Sequence, residues 1–306
     1  MFSINKEDFI EMKTAITRED YNNLKELEAV CVKDNINLKL ELEYKLSQLS
    51  HTTEAQALTE KAFRSSCMKE YLYYSQGRPV SYLGICSFGG NVYELNGMTH
   101  PDFRRRGFFR RLYTHAMSEC RFTDRKSLLL LSDGNSLSGI GFIEAVGGQP
   151  SFSEYRMELP AAAYKPQTDE KGPGALALRT ATSDDLAEIR KQDHIFFGDE
   201  EDKGDSDFIS SIDHTFIVEN EDKIIGKIKI DFNTDEAFIY GFGILPEFRG
   251  AGYGKAAIHE ALHLIFSKGL KKAALDVAAV NDRALHVYTS NGFVKVSEMR
   301  YYEKAL

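Results

Sequence analysis

The sequence predicts a mixed α/β chain of two similar domains, each a central, mostly antiparallel sheet with one parallel strand–helix–strand crossover. A run that begins Pro-acid-Phe-Arg occurs twice, at residues 101–109 and 246–254. Each copy follows a short apolar strand and leads through glycine into an amphipathic helix. The length of 306 residues suits two domains of ordinary size.

The repeat extends well beyond the two loops. Pro246 follows Pro101 by 145 residues, and Asn281 follows Asn135 by 146. A nearly fixed offset over roughly fifty residues indicates a duplicated domain. We therefore predict domains at residues 1–160 and 176–306, with a linker at 161–175.

The elements follow the same order in both halves. In the second half we expect a strand at 176–179, a helix with Ser183 as its N-cap, and a hairpin of 215–218 and 223–232 that turns near Glu221. A strand through Tyr240, a helix through Gly254 and a strand at 272–280 should follow. We expect the chain to continue with a helix through Ala284 and closing strands through Val294 and at 299–302. In the first half we expect helices through Leu24 and Leu46, strands near Tyr71 and at 80–86, then the loop, its helix and a strand at 127–132.

Composition narrows the class of protein. The net charge of −8 argues against a nucleic-acid binder. We see no leading apolar segment of the kind that directs secretion. No run of apolar residues is long enough to span a membrane. The four cysteines lack zinc spacing and predict no disulfide framework; they are Cys31, Cys67, Cys86 and Cys120. We expect a cytoplasmic protein, and the sequence leaves its oligomeric state open.

The glycine loop predicts an anion site. Such a loop turns successive backbone N–H groups toward one point at the positive end of a helix dipole, which suits a pyrophosphate. Glycine is needed because a Cβ atom would block close approach of a phosphate. The copy at residues 246–254 has the cleaner pattern of small residues.

The pattern of the second half resembles the GNAT family of acetyl-CoA-dependent N-acetyltransferases. The matching residues read Arg249-x-x-Gly252-x-Gly254, then Asn281-x-x-Ala284-x-x-x-Tyr288-x-x-x-Gly292-Phe293. The resemblance covers nearly all of residues 176–306 and, more loosely, residues 12–160. The whole chain therefore resembles a tandem protein of two fused GNAT domains.

The resemblance implies acetyl-CoA as co-substrate and no metal. The loop residues that would hold its pyrophosphate are Arg249, Gly250, Ala251, Gly252, Tyr253, Gly254 and Lys255. The preceding strand would pair with the pantetheine arm through Phe242, Gly243 and Ile244, and a bulge there would leave one N–H free to polarise the thioester carbonyl. Asn281 matches a cofactor-contacting asparagine of the family.

The resemblance also implies catalytic residues. Tyr288 matches the tyrosine that protonates the departing thiolate. Three candidates remain for the base that removes the ammonium proton, namely Asp276, Glu236 and a chain of water molecules. Glu236 lies two residues before the position that the family pattern expects, where this chain has Phe238.

The expected activity is therefore transfer of an acetyl group to a primary amine on a small molecule or peptide. The reaction is a direct attack on the thioester, located mainly in the second domain. The alternative is a non-catalytic pair of domains that binds acyl-CoA or scaffolds a partner.

The first half departs from the pattern where the chemistry would occur. Phe142 replaces the tyrosine, Leu130 stands where Asp276 stands, and Phe109 replaces a small loop residue, although Glu94 could serve as a base. Five arginines could pair with CoA phosphates or form a solvated basic face: Arg104, Arg105, Arg106, Arg110 and Arg111. We predict a first domain that is degenerate at its catalytic positions.

Two further motifs have competing interpretations. Residues 259–263 read H-E-x-x-H, the zinc-protease helix signature, but this helix already belongs to the glycine loop and no third ligand follows. An acidic stretch holds Asp199, Glu200, Glu201, Asp202 and Asp205. It predicts either attraction of a cationic acceptor or only a solvated loop.

Overall fold

The computed structural model describes residues 8–34, 36–47, 69–86, 92–120, 127–166, 176–198 and 212–306. The chain forms two compact units, the first made of Met1–Ser153 with Ser297–Leu306 and the second of Glu154–Val296. These units differ from the boundaries expected at 160 and 176, because the first unit includes the C-terminal strand. The predicted boundaries stay a prediction about the repeated sequence.

The first unit contains four described helices and most of its strands in chain order. The strands are β1 (Phe9–Lys13), β2 (Lys69–Ser75), β3 (Arg78–Cys86), β4 (Val92–Thr99) and β5 (Ser127–Asp133). The helices are α1 (Arg18–Cys31), α2 (Leu42–Ser47), α3 (Phe108–Cys120) and α4 (Leu137–Ala145). Strand β6 (Gln149–Pro160) begins in this unit, and its residues 154–160 belong to the second.

The second unit has the remaining elements apart from the end of the last strand. Its strands are β7 (Leu176–Thr180), β8 (Thr215–Asn220), β9 (Lys223–Phe232), β10 (Glu236–Ile244) and β11 (Lys272–Ala278). Its helices are α5 (Leu186–Phe197), α6 (Tyr253–Ser267) and α7 (Asp282–Ser290). The last strand is β12 (Val294–Ala305), which belongs to the first unit from Ser297 onward.

Each unit has one parallel strand pair among antiparallel ones, which confirms the predicted fold class. In the first unit β1 to β4 pair antiparallel in sequence order, β4 pairs with β5 in parallel, and β12 is antiparallel to β5. In the second unit β7 to β10 pair antiparallel, β10 pairs with β11 in parallel, and β6 is antiparallel to β11.

The turn between β8 and β9 confirms the predicted hairpin. Its two central residues, Glu221 and Asp222, have φ angles of 48° and 63°. Two consecutive left-handed residues are typical of the type I′ turn, whose twist matches that of the flanking strands.

The N-cap lies one residue earlier than the sequence predicts, at the start of a 3-10 turn, Ser183–Asp185, that leads into α5. Thr182, not Ser183, forms a capping box with Asp185: the Thr182 N–H donates to Asp185 Oδ2 at 2.8 Å. Arg179 donates two hydrogen bonds to the same carboxylate, at 2.7 and 2.8 Å. These bonds from Arg179 hold the pKa of Asp185 well below its usual value. The same arrangement of a capping box with a basic residue occurs at Asp20 in the first unit.

Helix α6 covers one face of the second sheet with an apolar stripe. Its fully buried residues are Ala257, Ile258, Ala261, Leu262 and Ile265. Their spacing puts them on one side of a helix. They pack against inward-facing strand residues that include Ala237 and Ile239 of β10.

The opposite face of this sheet contains a buried ion pair. Lys227 of β9 is fully buried, and its Nζ donates to Asp193 Oδ1 of α5 at 2.6 Å. Breaking such a pair leaves one charge without a partner in a dry environment, whereas replacing both members costs much less. The pair therefore fixes where the last turn of α5 lies on the sheet.

Replacing Lys227 alone should destabilise the second unit strongly. We expect Lys227→Met to lower the free energy of unfolding by about 3–5 kcal/mol, because Asp193 is left buried without its ion-pair partner. Urea denaturation measures this loss. The double variant with Asp193→Leu should recover most of it.

The matched control is Lys191→Met on α5, the helix that carries Asp193. It removes an exposed ion pair with Glu188, at 3.2 Å, and should change the stability little. A loss in Lys227→Met no larger than in Lys191→Met would contradict the assignment.

Candidate functional site

The second unit has an opening at the centre of its sheet. Parallel pairing of β10 and β11 runs from Glu236–Lys272 to Ile239–Leu275. The register of β10 against β9 then shifts between Tyr240 and Gly243, which marks a bulge. A bulge disrupts the ladder and leaves a backbone group unpaired. The bulge expected near Phe242, Gly243 and Ile244 is therefore present.

The loop after β10 has the backbone conformation that its glycines predict. Gly250 and Gly252 have φ angles of 82° and 89°, in the left-handed region that favours glycine. A Cβ on Gly250 would meet nothing within 4 Å, so its backbone conformation rather than space requires glycine. Arg249 Nε donates to the carbonyl of Ile244 at 2.7 Å and ties the loop to the end of β10.

The loop ends at the N-terminus of α6. Gly252 is the N-cap residue, and no acidic side chain lies in the first turn. The first N–H groups of a helix have no intrahelical acceptor, and the helix dipole makes this end positive. The backbone of Ala251, Tyr253 and Lys255 therefore borders a place suited to an anion.

Three elements meet around Gly254. A Cβ placed on this residue would lie 3.8 Å from Val287 of α7, 3.9 Å from Phe242 and 4.0 Å from Ile244. The loop helix, the bulged strand and α7 are therefore in contact at one point.

Tyr288 is buried on α7. Only 8% of the residue is exposed, and its ring packs edge-on against Phe293 with centroids 6.0 Å apart. Burial raises the pKa of Tyr288 to about 12. The phenol therefore stays protonated at neutral pH and can donate a proton.

Asn281 has a structural role in addition to its expected one. Its side-chain Oδ1 accepts a hydrogen bond from the Ala284 N–H at 3.1 Å and caps α7. This bond uses the side-chain oxygen, so contact with a cofactor through that atom stays a prediction.

The two candidate acids lie at different places. Asp276 is one residue past the last parallel pair and forms an ion pair with Arg156, 2.9 Å from Nε to Oδ1. Glu236 is the first residue of β10 and forms an ion pair with Lys272 at 2.7 Å. At ~3.3 Å per strand residue, Glu236 lies roughly 20 Å of strand away from the bulge. Of the two acids, Asp276 is therefore the one closer to the opening.

The zinc-protease motif lies on α6. His259 is near Glu260 and Tyr164, whereas His263 is exposed. Within the described part of the chain, no three His, Cys, Asp or Glu side chains are grouped so that they could hold a metal ion. The acidic stretch at 199–205 lies outside the described residues.

The first unit has a cavity of about 560 Å³ at its own loop. Its walls come from the end of β4, the start of α3, the end of β5, α4 and residues 36–40. The lining is apolar over much of its extent and includes Leu38, Leu95, Phe108, Phe109 and Phe142. Arg104, Arg105 and Arg110 line the loop side. The cavity therefore combines an apolar body with a basic end.

The first loop has the same backbone form as the second. Arg104 Nε donates to the carbonyl of Thr99 at 3.1 Å, as Arg249 does to Ile244. Arg105 and Gly107 have φ angles of 65° and 82°. The repeat seen in the sequence is thus a repeat of loop geometry.

The helix after the cavity corrects one expected correspondence. Ser136 caps α4 as Asn281 caps α7. Seven residues after each cap stand Ile143 and Tyr288, and each carbonyl accepts a hydrogen bond from the N–H five residues later. Ile143, rather than Phe142, therefore occupies the place of Tyr288. The expected lack of a hydroxyl at this place holds for either residue.

Residues 36–40 close one side of this cavity. The Asn37 N–H donates to Asp133 Oδ2 at 3.0 Å, at the end of β5. The side chain of Asn96, on β4, donates to the carbonyl of Lys39. Asn96 is buried, and its Oδ1 has no hydrogen-bond partner among the described residues.

Sequence reasoning missed the side chains that α5 places on the second sheet. Phe196 lies against Gly243, and Asp193 pairs with Lys227. Lys227 and Lys229 alternate with isoleucines, as on a strand with one exposed face, so no signal in the sequence marks Lys227 as buried.

Comparisons with known proteins agree with this geometry. Residues 183–293 match the model of the acetyltransferase (GNAT) family. Over 78 residues the chain is 37% identical to the uncharacterised N-acetyltransferase YycN of Bacillus subtilis, and over 80 residues it is 35% identical to mycothiol acetyltransferase of Streptomyces griseus. These matches cover 24% and 26% of this chain and 50% and 26% of the relatives, so the chain matches half or less of either one.

Solved structures resemble nearly the whole chain in fold. A GCN5-related N-acetyltransferase from Sphaerobacter thermophilus has a TM-score of 0.77 at 16% identity, over 97% of this chain and 95% of that one. A tandem GNAT protein from the clavulanic acid biosynthesis pathway has a TM-score of 0.69 at 16% identity, over 97% and 98%. Residues 183–293 therefore form a domain of the acetyltransferase (GNAT) family.

Proposed function

We propose that the protein is an N-acetyltransferase that moves an acetyl group from acetyl-CoA to a primary amine, with the chemistry in the second unit. The observation that supports this best is the meeting of bulged strand, loop helix and α7 around Gly254. It brings a free backbone group, an anion site and the helix of Tyr288 into one place. A small molecule or a peptide would supply the amine.

The cofactor would lie along β10 and the loop. The pyrophosphate fits the N-terminus of α6, from Gly250 to Lys255, where positive φ angles let the backbone approach closely. The pantetheine arm fits beside residues 242–244, where β10 has left β11. The N–H freed by the bulge would donate to the thioester oxygen as negative charge develops there.

The reaction needs two bound substrates and two proton transfers. The ammonium of the acceptor first loses a proton, to Asp276 or to water. The amine nitrogen then attacks the thioester carbon, the C–S bond breaks, and the nitrogen loses its second proton. Tyr288 donates a proton to the departing sulfur, and solvent restores the phenol. The protein contributes orientation and a dry environment for the charges.

A change at Gly252 tests the cofactor site. In a chain that also carries Gly107→Asp, so that only the second loop is intact, Gly252→Asp puts a carboxylate where the pyrophosphate would lie, and acetyl-CoA affinity in calorimetry should fall by at least ~100-fold.

The matched control is Gly269→Asp. Gly269 also has a positive φ, 79°, with nothing within 4 Å of an added Cβ, but it lies just beyond the opposite end of α6. It introduces the same charge and the same backbone strain, and affinity should stay near the value of the Gly107→Asp chain. Equal affinities in the two variants would refute the site.

A change at Tyr288 tests the general acid. Tyr288→Phe removes one hydroxyl and should lower kcat by ~10²–10⁴-fold when free-thiol release is measured with a panel of amines. Because the pKa of Tyr288 is about 12, no loss of activity from its ionisation is expected below about pH 11. Full kcat in this variant would exclude the role.

Tyr164→Phe is the control for the loss of a buried hydroxyl. Tyr164 packs against Phe266 near the C-terminal end of α6, and burial raises its pKa as well. Its replacement should leave kcat within about twofold of wild type.

A second function is supported by the cavity of the first unit. We propose that this unit binds an acyl-CoA without transferring the acyl group. Its loop resembles that of the second unit, and its cavity joins an apolar body to a basic end that suits phosphate groups. The place of Tyr288 holds Ile143, which has no hydroxyl to protonate a departing thiolate.

The test is binding stoichiometry. Calorimetry should give two acetyl-CoA sites in the wild-type chain and one in Gly107→Asp, while thiol release by the second unit persists. One site in both proteins would refute the second function.

A further inference from the structure

Phe196 lies directly on the bulged strand of the second unit. A Cβ built on Gly243 would meet three atoms of the Phe196 ring at 2.6 Å or less, so the ring contacts the Cα of this glycine. The guanidinium of Arg249 lies 5.9 Å from the ring centroid on the loop side. The ring therefore fills the space between the end of β10 and the loop.

The position of this ring is fixed by its helix. Phe196 is three residues after Asp193, whose carboxylate pairs with buried Lys227 at 2.6 Å. Lys227 lies opposite Gly243 in the pairing of β9 with β10. The ion pair thus anchors the last turn of α5 over the bulge. The C-cap of α5 is Gly198, which has a left-handed backbone conformation.

The neighbouring phenylalanine has a different environment. The ring of Phe197 lies 5.4 Å from the Lys227 ammonium and is half exposed. It meets the Phe196 ring edge-on, with centroids 6.0 Å apart. The ring of Phe196 therefore contacts the bulge at Gly243, whereas that of Phe197 is more exposed and lies over Lys227.

The location of Phe196 has a consequence for the acyl donor. In the proposed function the thioester oxygen lies at the N–H freed by the bulge, so the acyl carbons begin within a few ångströms of Gly243. An acetyl group ends one carbon beyond the carbonyl, whereas a longer chain must continue past the strand. A packed aromatic ring cannot yield to extra methylene groups without cost.

We propose that Phe196 forms the wall of the acyl pocket and restricts the second unit to short acyl donors. The inference rests on the proposed function of that unit, and it adds a residue that selects the donor. Each methylene that a pocket rejects changes selectivity by about 10–200-fold.

The test measures donor affinity in the full chain with Gly107→Asp as background, so that only the second loop is intact. Calorimetry with acetyl-CoA and butyryl-CoA gives the ratio of their affinities. With Phe196 present, acetyl-CoA should bind at least ~10-fold more tightly than butyryl-CoA. In Phe196→Ala the ratio should shift by at least ~10-fold toward butyryl-CoA, and in Phe196→Leu by an intermediate amount.

Phe197→Ala is the matched control. It removes an equal ring from the same helix turn, so a general disturbance of α5 would appear in it too, but the ratio should stay at the parent value. If Phe196→Ala does not fold, Phe196→Leu alone decides. An unchanged ratio at Phe196, or an equal shift in Phe197→Ala, overturns the inference.

A different result would contradict the proposed function of the second unit. If Gly252→Asp leaves acetyl-CoA binding intact in this background, no donor site exists at the second loop. That result overturns the proposed function and the donor wall together, whereas an unchanged ratio with Gly252-dependent binding overturns the wall alone.

Discussion

The parting of two parallel strands is the constraint on which the second unit depends. Strands β10 and β11 pair for four residues, up to Ile239 and Leu275, and the bulge that follows turns β10 away from a regular ladder. An opened sheet exposes backbone groups that water or a ligand must satisfy. The position of that opening determines where the bulge, the left-handed loop and the start of α6 lie. The site is therefore built mainly from backbone.

Side chains around this opening have two separate duties. Tyr288 approaches with the helix that contacts Gly254, and burial keeps its phenol protonated. On the other face α5 is held by a buried ion pair, which gives Phe196 a fixed place on the strand. A buried pair is costly to form, and its geometric specificity is what it provides. In the proposed function, Tyr288 would donate a proton to the departing sulfur and Phe196 would bound the acyl group.

The two units share the backbone form of their loops and differ in the side chains beside them. Both loops have an arginine bonded to the end of the preceding strand and two left-handed residues. In the first unit, however, Ile143 stands where Tyr288 stands, and Asn37 is bonded to the end of β5. Backbone geometry depends on a few glycines and bonds, whereas reactivity depends on single side chains. The form of the loop can therefore be kept while the side chains beside it differ.

The sequence by itself determined the fold class, the hairpin at Glu221 and the two loops, because glycine conformation and apolar periodicity are local properties. Its spacing misplaced the counterpart of Tyr288 by one residue, since Phe142 and Ile143 are both apolar and only helix ends distinguish them. Only the tertiary structure decided that β12 pairs with β5 and that Phe196 reaches Gly243. Strand pairing and contacts between distant segments depend on packing of the whole unit, and no local pattern encodes which partner will be met.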